Sequence, residues 1–171
     1  MTTTRHLDAK QSRQEEIALA YQAACEARRG KRHGVVVTPV EVVDHQVRAV
    51  LQLAQDQHGP GRDTLVRIRA LDPFGGTGIY LARMLQLVPL CPDDKIVLAS
   101  QAVMVEIDPD ACQAAVTNLR AVMAEETGQD QIMPLVCQAD TYTTGDEVWD
   151  MTWRLAHLYR RTRAACEEAS A

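Results

Sequence analysis

Between Leu71 and Leu85 the chain reads LDPFGGTGIYLARML, an acid, a proline and three glycines set between two apolar stretches. No other stretch constrains the fold as much. It marks a strand passing directly into a helix through a turn where the backbone comes close to a ligand. The spacing predicts a strand over TLVRIRALD ending at Asp72, then a helix over GIYLARMLQLV. A second strand follows from Ala102 to Ile107, then a helix capped by Asp108 and opened by Pro109, with Ala115, Leu119 and Val122 on one face. QIMPLVCQAD reads as a third strand with Asp140 at its end. Strands alternating with helices imply parallel pairing with right-handed crossovers, and such sheets bind ligands outside the carboxyl ends of the strands. Asp72, Glu106 and Asp140 all fall at that edge.

Two helices precede this alternation. Ser12 and Glu15 have capping-box spacing, after which Ile17, Tyr21 and Ala24 share a face until Gly30. ARRGKRHG, Ala27 to Gly34, is a basic loop, either solvated or in contact with phosphates. Thr38 as N-cap, Pro39 at the first helical position and Glu41 closing a capping box then predict a second helix, with Val40, Val43, Val47 and Val50 on its inner face. Asp56 to Asp63 is a turn-rich break too short for an interdomain linker. At the other end, Thr144 and Glu147 fit a capping box. Val148, Met151, Leu155 and Leu158 form the apolar stripe of a last helix.

Composition narrows what this arrangement can do. With 171 residues, 46% of them hydrophobic, the chain has length for one core and is short for two. A net charge of -5 confines any DNA contact to a local patch such as Arg28, Arg29, Lys31 and Arg32. No stretch is long and apolar enough to span a membrane, and the N-terminal residues lack the apolar centre of a secretory signal, so a cytoplasmic location is expected. Cys25, Cys91, Cys112, Cys137 and Cys166 are far apart with no CxxC pair. They are expected to be buried reduced thiols, and no metal site is expected.

The glycine turn at Gly75, Gly76 and Gly78 is expected to present its amides to an anionic group at the start of a helix. A dinucleotide pyrophosphate fits poorly. GTGIYL puts Leu81 where a third glycine belongs, and Asp72 repels a phosphate. A zwitterion fits better: an amino acid group offers an ammonium to Asp72 and a carboxylate to the amides, as S-adenosylmethionine does. Glu106 can then accept from ribose hydroxyls, and Asp140 from an adenine amino group.

VVVTPVEVVDHQVRAV, ALDPFGGTGIYLARML, VMVEIDPDACQAAVTNL and QADTY, in that order, resemble the cofactor-binding half of adenine-specific DNA methyltransferases, above all the helicase-like and single-chain restriction-modification enzymes. The resemblance runs from about Gly34 to Tyr142. It implies an α/β fold of the Rossmann-like class I S-adenosylmethionine-dependent methyltransferase type, truncated, with N-terminal helices and a C-terminal helix. Residues 1–33 would form a helix and basic loop, 34–145 the cofactor-binding domain and 146–171 the last helix. By the same resemblance, Thr38 and Pro39, together with Asp72, Pro73, Phe74, Gly75, Gly76, Thr77 and Gly78, would hold the methionine end of S-adenosylmethionine. Glu106 would hold the ribose, Ile107 would lie on the adenine and Asp140 would meet its amino group.

The family's catalytic motif, Asn or Asp followed by Pro-Pro and an aromatic, is missing: the sequence has no Pro-Pro dipeptide. That motif seats the flipped adenine. Two functions therefore stand side by side. One is a cofactor-binding segment that needs a second protein chain to complete the sheet and supply the motif. The other is a catalytically silent binding or regulatory protein that keeps the fold. No catalytic residue is assigned, and DNA binding is expected to be weak or through the partner. Trp149, Trp153 and Tyr159, with Arg154, Arg160, Arg161 and Arg163, either pack the last helix on the sheet edge or face a partner.

Overall fold

The computed structural model describes residues 2–29 and 36–143, with side chains described for residues 9–28 and 36–143. The elements are α1 (Thr2–Arg29), α2 (Val40–His58), α3 (Arg62–Val66), β1 (Ala70–Asp72), α4 (Ile79–Leu87), α5 (Pro92–Ala99), β2 (Ala102–Glu106), α6 (Pro109–Thr127) and β3 (Leu135–Gln138). The strands form one parallel sheet in the order β1-β2-β3, with Leu71 opposite Val103 and Val103 opposite Leu135. The fold is α/β, as the alternation of strands and helices predicts. Ala102, Val103, Met104 and Val105 of the central strand are at most 1% exposed, the near-continuous apolar run expected of a parallel strand covered on both faces. Helix α4 packs against α2, α6 and α1, and Val43, Leu85, Leu98, Met104 and Leu119 fill the core.

Several local expectations shift. TLVRIRALD is mostly not a strand: Arg62–Val66 is a short helix and only Ala70–Asp72 pairs. Arg62 holds the buried carboxylate of Asp94 at the start of α5 with two bonds of 2.6 Å, which ties this turn to α5. Ser12 does not cap α1, which begins at Thr2. The buried stripe of α1 is Gln14, Ala18 and Cys25, rotated from the expected Ile17 and Ala24, because a buried glutamine occupies it. Nor is Thr38 the N-cap of α2. Pro39 takes that place, with ψ 138 and its carbonyl accepting from Val42 and Val43, and no side chain caps the helix. Val50 is 58% exposed while Leu51 is buried, since the 3.6-residue period carries the inner face from Val43 and Val47 to 51.

The expected cap at Asp108 is present: its side chain accepts from the Asp110 amide, and Ala115, Leu119 and Val122 are buried on α6. The described cysteines are free. Cys25 and Cys112 are buried and Cys137 half-buried, but Cys91 is exposed, contrary to expectation, because it sits at the surface N-cap of α5. No helix among the described residues is long and apolar enough to cross a membrane. The basic residues Lys31 and Arg32, the expected last helix with Thr144, Glu147, Val148, Met151, Leu155 and Leu158, its aromatic and arginine residues, and Cys166 lie outside the described residues.

Candidate functional site

The turn from β1 into α4 is held by two requirements for glycine. At Gly75 a Cβ would lie 2.3 Å from Met104 Cε and 2.7 Å from its Cβ, so the loop runs against β2 as only a residue without a side chain can. Gly78 has φ +75 at the N-cap of α4, and its carbonyl accepts the first helical bond from Ala82. The glycine amides are turned inward, where the sequence suggested outward. Gly75 N–H donates to the Val105 carbonyl at 3.0 Å, Gly76 N–H to Glu106 Oε2 at 2.9 Å, and Gly78 N–H to the Gly75 carbonyl at 2.8 Å. The anion-attracting end of the turn is thereby moved to the opening amides of α4, Ile79 to Leu81, which precede that first helical bond.

Three strand ends bring acids to one edge of the sheet. Asp72 closes β1; its Oδ1 accepts from the Phe74 amide at 3.2 Å, and its Oδ2 is buried without a partner. Burial raises the Asp72 carboxyl above the usual range, the Phe74 amide opposes this, and nearby Glu106 adds to the rise. Glu106 closes β2 and accepts from two amides, Gly76 at Oε2 and Asp108 at Oε1, the latter at 2.8 Å. Asp140 stands two residues past β3, where its Oδ1 accepts from the Tyr142 amide at 3.0 Å and its carbonyl accepts from Thr143. It thus shapes its own turn.

Exposed apolar groups ring these acids. Phe74 is 61% exposed, Ile107 64% and Tyr142 87%. Phe74 and Tyr142 meet with ring centroids 5.7 Å apart, and the Thr141 hydroxyl donates to the Pro73 carbonyl. The loops after β1 and β3 are therefore joined across the end of β2. Thr38 is half-buried and Pro39 exposed at the start of α2, and no described bond ties either to the glycine turn. Pro73 to Gly78, Asp72 and Glu106 are thus brought together. Ile107 and Asp140 border them, while Thr38 and Pro39 stand on a separate element. Among the described residues no cluster of His, Cys, Asp or Glu is arranged to hold a metal.

The support behind the turn was not visible in the sequence. Buried Thr77 gives its carbonyl to Asn118 Nδ2 at 3.1 Å, and Asn118 exchanges two bonds of 2.8 Å with Gln14 on α1. Tyr21, also on α1, donates to Asp108 at 3.0 Å, and its hydroxyl is pushed to a higher pKa by burial and by its Cys25 and Asp108 neighbours. Arg28, from the expected basic loop, is instead paired with Asp110. Polar residues on helical faces leave no periodic signature, so neither Gln14 nor Asn118 carried a signal in the sequence.

The chain matches no family model, and no curated protein matches it. Three solved structures share its fold. A DrdV–DNA complex superposes with a TM-score of 0.65 and 20% identity, over 75% of this chain and 13% of that one. The ATP-dependent Type ISP restriction-modification enzyme LlaBIII bound to DNA gives 0.61 and 21%, over 85% of this chain and 11% of that one. A nuclease-deletion mutant of the Type ISP restriction-modification enzyme LlaGI in complex with a DNA substrate mimic gives 0.53 and 22%, over 74% and 12%. At these identities the likeness is one of fold. This chain corresponds in each case to a small fraction of a much longer protein.

Proposed function

We propose that this chain is the S-adenosylmethionine-binding segment of a restriction-modification type, adenine-specific DNA methyltransferase with the class I Rossmann-like fold, and that a second polypeptide supplies the catalytic motif. The observation that carries the reading is the buried, unpartnered Oδ2 of Asp72 beside the glycine turn. A buried carboxylate oxygen without a donor is costly, and an ammonium is the partner that removes the cost. The cofactor is a methyl donor when bound. Asp72 receives its ammonium, and the loop Pro73 to Gly78 with the opening amides of α4 receives its carboxylate. Glu106 spends one lone pair of each oxygen on an amide and keeps the others for ribose hydroxyls. Ile107 lies on the adenine, Asp140 meets its amino group, and Thr38 and Pro39 border the methionine end.

Calorimetry with S-adenosylmethionine tests the reading. Glu106→Ala is expected to weaken binding by about 1.5 to 3 kcal/mol, roughly ten- to hundredfold. Undiminished affinity in that variant removes Glu106 from the site, and no heat with the native chain removes the cofactor. With no Pro-Pro turn in the sequence, the chain alone is expected to transfer no label from S-adenosylmethionine to duplex or single-stranded DNA. Transfer that Asp72→Ala abolishes would make it a complete enzyme. The same absent turn also favours a silent regulatory protein that keeps the fold. Restored transfer on adding a chain that bears the motif decides for the split enzyme.

A further inference from the structure

Glu106 is held by two amides, those of Gly76 and Asp108, and each is steadied from α1. The inward stripe of that helix runs Gln14, Ala18, Tyr21 and Cys25, at the alternating spacing of four and three that keeps to one helical face. Two of the four are polar. Gln14 exchanges bonds with Asn118, which also donates to the carbonyl of Thr77, the residue next to Gly76. Two turns on, the Tyr21 hydroxyl donates to Asp108 Oδ2 at 3.0 Å, while Asp108 Oδ1 caps α6 by accepting from the Asp110 amide at 2.9 Å. Both oxygens of that carboxylate are thus engaged, and the Asp108 amide is fixed where it donates to Glu106 Oε1 at 2.8 Å.

Ion pairs of Lys10 with Glu126, Arg13 with Glu125 and Arg28 with Asp110 hold α1 antiparallel along α6. Apolar side chains at 14 and 21 would join the two helices equally well, since a buried polar pair adds little net free energy. What the polar groups add is direction, and both are aimed at the backbone on either side of Glu106. We propose that α1, outside the stretch 34–145 expected to bind the cofactor, belongs to the frame of the ligand site, and that Tyr21 is a positioning residue acting through Asp108 on the Glu106 carboxylate. Its effect on affinity rests on the proposed binding of S-adenosylmethionine, whereas its orientation of Glu106 does not.

Tyr21→Phe in the full chain removes the hydroxyl and keeps the ring. Amide proton resonances then read the orientation with no ligand present. Those of Asp108 and Gly76, both bonded to Glu106, are expected to move upfield, while Leu19→Ser on the exposed face of α1 leaves both in place. In calorimetry Tyr21→Phe is expected to bind S-adenosylmethionine roughly three- to tenfold more weakly. Added to Glu106→Ala it should cause no further loss, because residues that act through one another are not additive. Should Tyr21→Phe lose helical circular dichroism, Asp108→Ser carries the same test: serine still caps α6, and its shorter side chain gives up the Tyr21 bond. A Gly76 resonance unmoved in a folded variant overturns the proposal, whatever the affinity. So does a variant that moves the resonance yet binds as the native chain does, and so does a loss that adds in full to that of Glu106→Ala. No heat with the native chain removes the cofactor instead, and the two amides alone then decide the role of Tyr21.

Discussion

The helical side of the molecule and the edge of the sheet treat buried charge in opposite ways. Between α2 and α4, Arg83 is 1% exposed and grips Asp44 with bonds of 2.5 and 2.8 Å, while Gln86 takes a third guanidinium hydrogen at 2.7 Å. Between α1, α5 and α6, Lys10 and Lys95 both reach Glu126; burial pushes its carboxyl up, and the two lysines outweigh that and hold it below the usual range. At the strand ends the pattern reverses. Asp72 is half-buried, with its Oδ2 enclosed and unpartnered, and Phe74, Ile107 and Tyr142 stand in solvent. The other unpartnered buried side-chain group among the described residues, Gln86 Nε2, is neutral, and its orientation follows from turning Oε1 to Arg83. The contrast teaches that this sequence supplies partners to the charges that hold helices together and leaves one carboxylate oxygen without a donor at the strand ends, where the proposed function places a ligand's charge.

If that division is right, substitutions on the helical side are costly. Asp44→Ala leaves the Arg83 guanidinium buried without its carboxylate, and the expected loss is about 3 to 5 kcal/mol of unfolding free energy, read from denaturant midpoints. A loss no larger than that of an exposed ion pair would mean that water reaches Arg83. Asn118→Ala strands the Gln14 amide and the Thr77 carbonyl together, at an expected cost of about 1 to 3 kcal/mol. The glycine turn then loses its anchor to α6, so calorimetry on this variant below its melting range should also show weaker S-adenosylmethionine binding.

The sequence made one kind of information plain and concealed another. DPFGGTG between a strand and a helix, and Asp108 before Pro109, are local signals: a turn that needs glycine and a cap that needs a short acid follow from backbone geometry alone. Both were legible, as was the parallel sheet, because apolar strand runs alternated with helical ones. What was hidden depends on distant partners. TLV is helical because Arg62 meets Asp94 on another element, and the inner face of α1 contains Gln14 because Asn118 waits opposite. The glycine amides face inward because Glu106 and Val105 accept two of them. No window of neighbouring residues contains those partners. Hence the acids at the strand ends could be named from the chain, but their present bonds could not.

On the sheet edge the costs should nearly vanish. Phe74 is 61% exposed and its described aromatic contact is to the exposed ring of Tyr142. Phe74→Ser is therefore expected to change stability by no more than about 0.5 kcal/mol in the same denaturation assay. A loss comparable to that of Asn118→Ala would show that the paired rings hold the loops after β1 and β3 in the core, and would move them to the helical side of the division.

Asp72 gives the test whose sign, rather than size, decides. Its folded carboxyl is raised above the ordinary range, with burial the largest cause. Between the unfolded and folded values the native state binds more protons, so this group's contribution to stability falls as pH rises through that window and stays unfavourable above it. Glu126, whose carboxyl is lowered, contributes the opposite slope: its stabilisation is present above its unfolded value and lost as pH falls through its folded one. The two are separated by subtraction, since Asp72→Asn removes only the first. The variant is expected to be slightly more stable than the native chain at neutral pH, by less than any loss above, and the gain should disappear on acidification below the carboxylate range. S-adenosylmethionine binding should move the other way: lost in Asp72→Asn, and in the native chain strengthening as pH rises and Asp72 ionises. An Asp72→Asn chain that is less stable at neutral pH would mean that the carboxylate already has a partner, and the opposition between the two sides of the molecule would fail at the residue on which it chiefly rests.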